Sequence, residues 1–102
     1  MKIRWSEEAA RCVDAIIIDV TARSGKERAK KLADELAGHV SHLEAHPQMG
    51  RMVPEVQRPD VRELIENGYR VIYIVAVDHL DILTVMRPRQ PFPRLTLPPI
   101  DD

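Results

Sequence analysis

Cysteine occurs once, at Cys12, so the chain can assemble neither a disulfide framework nor a cysteine-based metal site. That scarcity favours a reducing cytoplasm. Net charge is equally scarce: fifteen Lys and Arg oppose sixteen Asp and Glu, which removes the bulk electrostatic footprint of a general nucleic-acid or polyanion binder. No apolar run is long enough to span a bilayer, and MKIRWSEEAA has no apolar stretch behind its basic residues, as a secretion signal would. A soluble cytoplasmic protein without membrane contact is expected. Aromatic residues are also few, and after Tyr73 the only one is Phe92.

What is present is ordinary for a folded domain. Apolar residues make up 44% of the 102, too many for intrinsic disorder. The length suits one domain with a small core, of the kind partners help to stabilise. The positive charge is unevenly placed. All four lysines lie at or before Lys31, whereas the later cations (Arg51, Arg58, Arg62, Arg70, Arg87, Arg89, Arg94) are all arginine. Arginine makes planar, two-pronged contacts with carboxylate and phosphate that lysine cannot. A solvated surface and a binding surface both account for this bias.

KIRW at 2–5 reads as a short strand. Ser6 is a suitable N-cap, with Glu7 and Glu8 in the first turn of the helix that follows. Ala9, Val13, Ile16, Ile17 and Val20 make one apolar stripe, and Ile18 lies off it. Gly25 interrupts, and Ser24 with Glu27 has the spacing of a capping box that starts a second helix. Ala29, Leu32, Ala33, Leu36, Val40 and Leu43 form its apolar face, so an antiparallel helical hairpin is predicted, closed by Pro47 and Gly50. Residues 51–60 read as loop. VRELIE, Asn67-Gly68 and YRVIYIVAV then predict a hairpin whose second strand is central and covered on both faces. A turn at Asp78-His79 and LDILTVM supply one more strand. RPRQPFPRLTLPPIDD holds five of the eight prolines and is expected to be extended. The order is β-α-α-β-β-β plus a Pro-rich tail, an α+β fold with the helical hairpin on a small, mostly antiparallel sheet. Residues 1–87 form the domain and 88–102 the tail.

The ordered series Pro47, Gly50-Arg51, Pro54-Glu55, Val61-Arg62-Glu63-Leu64 and Gly68-Tyr69-Arg70-Val71-Ile72-Tyr73 resembles the ParE/RelE superfamily of toxins from type II toxin–antitoxin modules, and its ParE branch in particular. The likeness extends from the first strand to about Arg87. It implies a bacterial cytoplasmic toxin with no cofactor, held in a hetero-oligomer by a cognate ParD-like antitoxin whose C-terminal segment folds on the toxin. Exposed apolar positions such as Ile18, Phe92, Leu95 and Leu97 would add to that contact. RelE-like members cut mRNA on the ribosome, whereas ParE-like members inhibit DNA gyrase by binding; a non-toxic member that only binds its antitoxin is a further alternative.

The residues separate these activities. A nuclease of this type needs cations around the phosphate and a group that assists the leaving oxygen. Arg62, Arg70 and Arg87 are the candidates under that alternative, but Leu64 stands at a basic position and no tyrosine follows Tyr73. With a two-residue turn at Asn67-Gly68, Glu66 pairs with Tyr69 and Arg62 lies opposite Tyr73, so Arg62 and Arg70 point to opposite faces. A bulged turn would reverse that parity. His39, His42 and His46 have spacings that can bind a metal or complement a helix C-terminus, and no matching carboxylate makes a closed site evident. Arg62 and Glu63 also read as solvent-facing strand residues, and Arg70 can pair with Glu66 or a carbonyl.

The expectation is a non-catalytic, metal-free recognition surface for antitoxin and target, formed by Arg51, Arg62, Arg70, Tyr73, Arg87, Arg89 and Phe92. No direct sequence-specific nucleic-acid binding is expected. If the tail engages the target, truncation after Arg87 should abolish toxicity and leave the fold intact.

Overall fold

In the computed structural model, residues 1–100 are described; Asp101 and Asp102, the end of the tail, lie outside the described residues. The elements are β1 (Lys2–Trp5), α1 (Glu7–Ser24), α2 (Lys26–Ser41), a 3-10 turn (His42–Glu44), β2 (Arg51–Met52), β3 (Val61–Glu66), β4 (Tyr69–Val75) and β5 (His79–Met86). One sheet holds the strands in the order β1-β5-β4-β3-β2.

Ser6 joins the start of the fold to its end. Its Oγ accepts the Ala9 N–H at 3.0 Å, capping α1, and donates to the Leu83 carbonyl at 3.0 Å. The Ser6 N–H donates to the Ile82 carbonyl, extending the parallel pairing of β1 with β5, in which Ile3 lies opposite Leu80. The remaining pairs are antiparallel.

The two helices bury the predicted stripes. Ala9, Ile16 and Val20 of α1 and Ala29, Leu32, Leu36 and Val40 of α2 join Leu43, Leu64, Val71, Tyr73, Leu80, Ile82 and Val85 in the main core. Ile18, off the stripe, is 70% exposed. The capping box does not form. α1 runs through Ser24, and Gly25, at φ 92°, is the whole link to α2; no side chain caps that helix. Such a tight link leaves Ser24 helical, so its hydroxyl cannot take the N-cap position.

Three boundaries also differ from the expectation. Residues 51–52, expected as loop, form the edge strand β2, where Arg51 and Met52 pair with Glu63 and Arg62. This strand is too short to show any periodicity. β4 ends at Val75, and Val77 is 98% exposed in the turn. His79, expected in the turn, is the first residue of β5 and pairs with Lys2.

β4 is the middle strand of five, and both its faces are covered, as its continuous apolar run predicts. Val71 and Tyr73 face the helices. Ile72 and Ile74 face away, into a second core with Val53, Val61 and Met86. The register shift at Ile72/Tyr73 leaves Leu83 as an extra residue on β5, and Leu83 packs against this second core.

The tail supplies the cover on that side. Phe92, Leu95 and Leu97 are half-buried against the second core, and Arg58 Nη1 donates to the Pro98 carbonyl at 2.8 Å. Two expectations change with it. These three side chains are packing groups more than free contact sites, and removal of the tail would uncover apolar sheet.

Candidate functional site

The Asn67-Gly68 link places the site. Both residues have positive φ, 51° and 84°, as a two-residue hairpin turn requires, and Gly68 takes this conformation without a Cβ penalty. Glu66 therefore pairs with Tyr69, Arg62 with Tyr73 and Ile65 with Arg70. The alternation of β3 then puts Glu63 and Arg70 on the tail side of the sheet, with Arg62 on the other.

Glu63, which also reads from the sequence as a solvent-facing strand residue, has a fully buried side chain. Two arginines flank it: Arg51 Nε donates to Oε2 at 2.8 Å, and Arg70 Nε donates to Oε1. A buried carboxylate is tolerated only when its charge is matched and its lone pairs are used, and these two donors do both. The rest of the Arg70 guanidinium holds a second carboxylate. Nη1 and Nη2 donate to the two oxygens of Glu55 at 2.8 and 2.7 Å, a two-pronged pairing. Phe92 from the tail lies over Arg70, its ring centre 5.5 Å from the guanidinium carbon, within cation–π range.

The electrostatics follow from this geometry. The hydrogen bonds from Arg70 hold the Glu55 carboxyl at about 2, well below the ordinary 4.5. Bonding to Glu55 and then Glu63 raises Arg70 further above the usual guanidinium range. With two cations and two anions the cluster is neutral, and Arg70 is 19% exposed against 38% for Glu55.

Among the residues expected at a recognition surface, Arg51, Arg70 and Phe92 come together here. Arg62 does not join them. Its guanidinium donates to the carbonyls of Gly50 at 2.8 Å and Pro59 at 3.1 Å, tying down the chain on either side of β2. Tyr73 is completely buried; its hydroxyl donates to the Pro47 carbonyl and accepts the Gly50 N–H, each at 2.9 Å. Burial pushes the Tyr73 hydroxyl up from its ordinary pKa. Gly50 must lack a side chain, because a Cβ there would lie 2.6 Å from both the Glu63 carbonyl and the Tyr73 hydroxyl. Arg87 and Arg89 are exposed beyond β5; the Arg87 N–H donates to Gln90 Oε1 at 3.0 Å.

Glu55 and Glu63 are the members that sequence reasoning missed. The signal for Glu63 was available, since the two-residue turn already placed it on the face of Arg70. Glu55 lies in an irregular loop, where no period fixes direction.

The histidines lie elsewhere. His39 Nδ1 is 2.9 Å from Glu66, linking α2 to β3, while His42 and His46 are exposed. Among the described residues no group of three His, Cys, Asp or Glu side chains is arranged to hold a metal ion. No described helix is long and apolar enough to cross a membrane.

Comparison with known proteins places this geometry in a family. Curated proteins yield no significant match. Among solved structures, the chain is similar to one described as the chromosomal ParDE TA system from P. aeruginosa, with 25% identity and a TM-score of 0.74 over 87% of this chain and 97% of that one. The family model for the ParE toxin of type II toxin-antitoxin system, parDE, matches residues 3–92, from β1 to the phenylalanine over Arg70. The chain belongs to the ParE toxin family of type II toxin–antitoxin systems.

Proposed function

We propose that this chain is the cytoplasmic toxin of a two-component module, that it inhibits DNA gyrase by binding, and that a ParD-like antitoxin neutralises it in a hetero-oligomeric complex. The observation that carries the non-hydrolytic part is the division of the arginines. Arg62 and Arg70 lie on opposite faces of the sheet and both are engaged, Arg62 by two carbonyls and Arg70 by two carboxylates. They cannot converge on one phosphate. The buried Tyr73 hydroxyl is tied to Pro47 and Gly50, and neither it nor Phe92 can serve a leaving oxygen. Stabilising an in-line phosphoryl transfer needs donors aimed at one point, and among the described residues Arg62 and Arg70 do not form such a set. A protein partner needs only an ordered surface with fixed charges.

Controlled induction in bacteria, with DNA and protein synthesis labelled separately over the first minutes, tests this reading. DNA synthesis is expected to fail first, with a DNA-damage response, and the purified chain is expected to block supercoiling by gyrase. Early arrest of translation would overturn it in favour of mRNA cleavage.

A further inference from the structure

The two carboxylates on Arg70 are held in different ways. Glu63 lies on a strand, is fully buried and is shared with Arg51, so its place is fixed by the sheet. Glu55 lies in the loop between β2 and β3, is 38% exposed and is held through its side chain by Arg70. The loop around it is closed by its own backbone, with the Val56 and Gln57 N–H groups both donating to the Val53 carbonyl. Swinging the Glu55 side chain away breaks no sheet hydrogen bond and leaves Glu63 neutralised.

We propose that Arg70 is a carboxylate-docking site for an acidic segment of a partner protein, and that Glu55 is the internal occupant which that segment displaces. The inference rests on reading the chain as a toxin held by an antitoxin segment, and adds that this segment is acidic where it meets Arg70. Arg70 offers a two-pronged fork of Nη1 and Nη2, which Glu55 already shows to fit a carboxylate. The half-buried Phe92 lies against the guanidinium, its ring centre 5.5 Å from the guanidinium carbon, and Ile65, 47% exposed on the strand opposite Arg70, gives an apolar neighbour to the incoming chain. A carboxylate is favoured because the fork already holds one in two-pronged geometry, and exchange of the Glu55 carboxylate for another leaves the local charge unchanged. An internal competitor lowers apparent affinity by the fraction of time it fills the site.

The test uses the purified full chain and two fluorescent probes, a hexaglutamate peptide and a single-stranded oligothymidine, followed by anisotropy. Glu55→Gln is expected to bind hexaglutamate about five- to tenfold more tightly than the parent chain. Glu7→Gln, with the same charge change on exposed α1, is expected to show no such gain. Adding Arg70→Lys, which keeps a cation beside Glu63 and removes the fork, is expected to erase it. Unchanged or weaker hexaglutamate binding by Glu55→Gln would show that Glu55 is only structural and would overturn the proposal. An equal gain in Glu7→Gln, or a gain confined to the oligothymidine, would also overturn it. None of these readouts involves growth or supercoiling, so failure here is distinguishable from failure of the toxin reading.

Discussion

The two faces of the sheet are covered in different ways. On one, α1 and α2 lay regular apolar stripes over Leu64, Val71, Tyr73, Leu80, Ile82 and Val85. On the other, an irregular tail covers Val53, Val61, Ile72, Ile74 and Met86, beside a neutral network of two arginines and two glutamates. The first cover is built from elements that bury their area cooperatively. The second depends on a few separate side chains, so the groups able to meet a partner lie where the cover is thinnest. Under the proposed docking at Arg70, the helical face supplies stability and the tail face supplies recognition.

The largest test of this contrast removes the tail. Truncation after Arg87 deletes Phe92, Leu95 and Leu97 and the Arg58–Pro98 bond. Each half-buried side chain contributes roughly 1–2 kcal/mol, so the loss should reach about 3–5 kcal/mol. In a domain of this size that lowers Tm by about 15 °C or more. Thermal unfolding followed by circular dichroism checks it. An unchanged midpoint would mean that the tail is an appendage and that the sheet tolerates an open apolar face.

The same contrast explains what could be read from the sequence. The helical hairpin, its stripes and the β3–β4 register were legible because period and turn chemistry act over a few residues. The continuous apolar run of β4 even announced that its far face is covered. What covers that face was not legible. Phe92, Leu95 and Leu97 alternate with prolines and polar residues, and nothing local says which surface they meet. β2 was missed because two residues carry no period. The failed capping box at Ser24 has a tertiary cause: a one-residue link brings α2 back against α1, and Gly25 meets that need better than a serine cap. At the site, Arg70 was named from family likeness and Phe92 as the only aromatic residue after Tyr73; the turn register could have placed Glu63 beside Arg70, whereas Glu55, in an irregular loop, had no such signal.

A smaller perturbation asks whether the helical face also positions the recognition side. Tyr73 packs among the main core, yet its hydroxyl reaches the chain just before β2, the strand that carries Arg51. Tyr73→Phe keeps the ring and strands the Gly50 N–H in a buried place, at a cost of about 1–3 kcal/mol. Denaturant unfolding should show that loss. Amide exchange should show Arg51 and Met52 opening faster than β4. Uniform acceleration along all strands would mean that the hydroxyl stabilises the whole fold and does not specifically position the edge.

The smallest effect concerns the charge network and is read by pH. Glu55 is held at about 2 in the folded chain, against an ordinary 4.5. Between these values the unfolded chain binds a proton that the folded chain does not, so stability present above about pH 4.5 is lost as pH falls through about 2. Because Glu55 is more than a third exposed, solvent screening limits the pair to about 1 kcal/mol or less. Glu55→Gln should therefore be less stable than the parent near neutrality by that amount, and the gap should close as pH falls toward 2. Paired urea titrations across this range isolate the difference from the other carboxylates, which titrate alike in both chains. A gap that persists at the acid end would assign the loss to packing of the 53–60 loop instead of to the Arg70 ion pair. Glu63 would then be the only carboxylate electrostatically coupled to that arginine, and the tail face would depend on its buried pair alone.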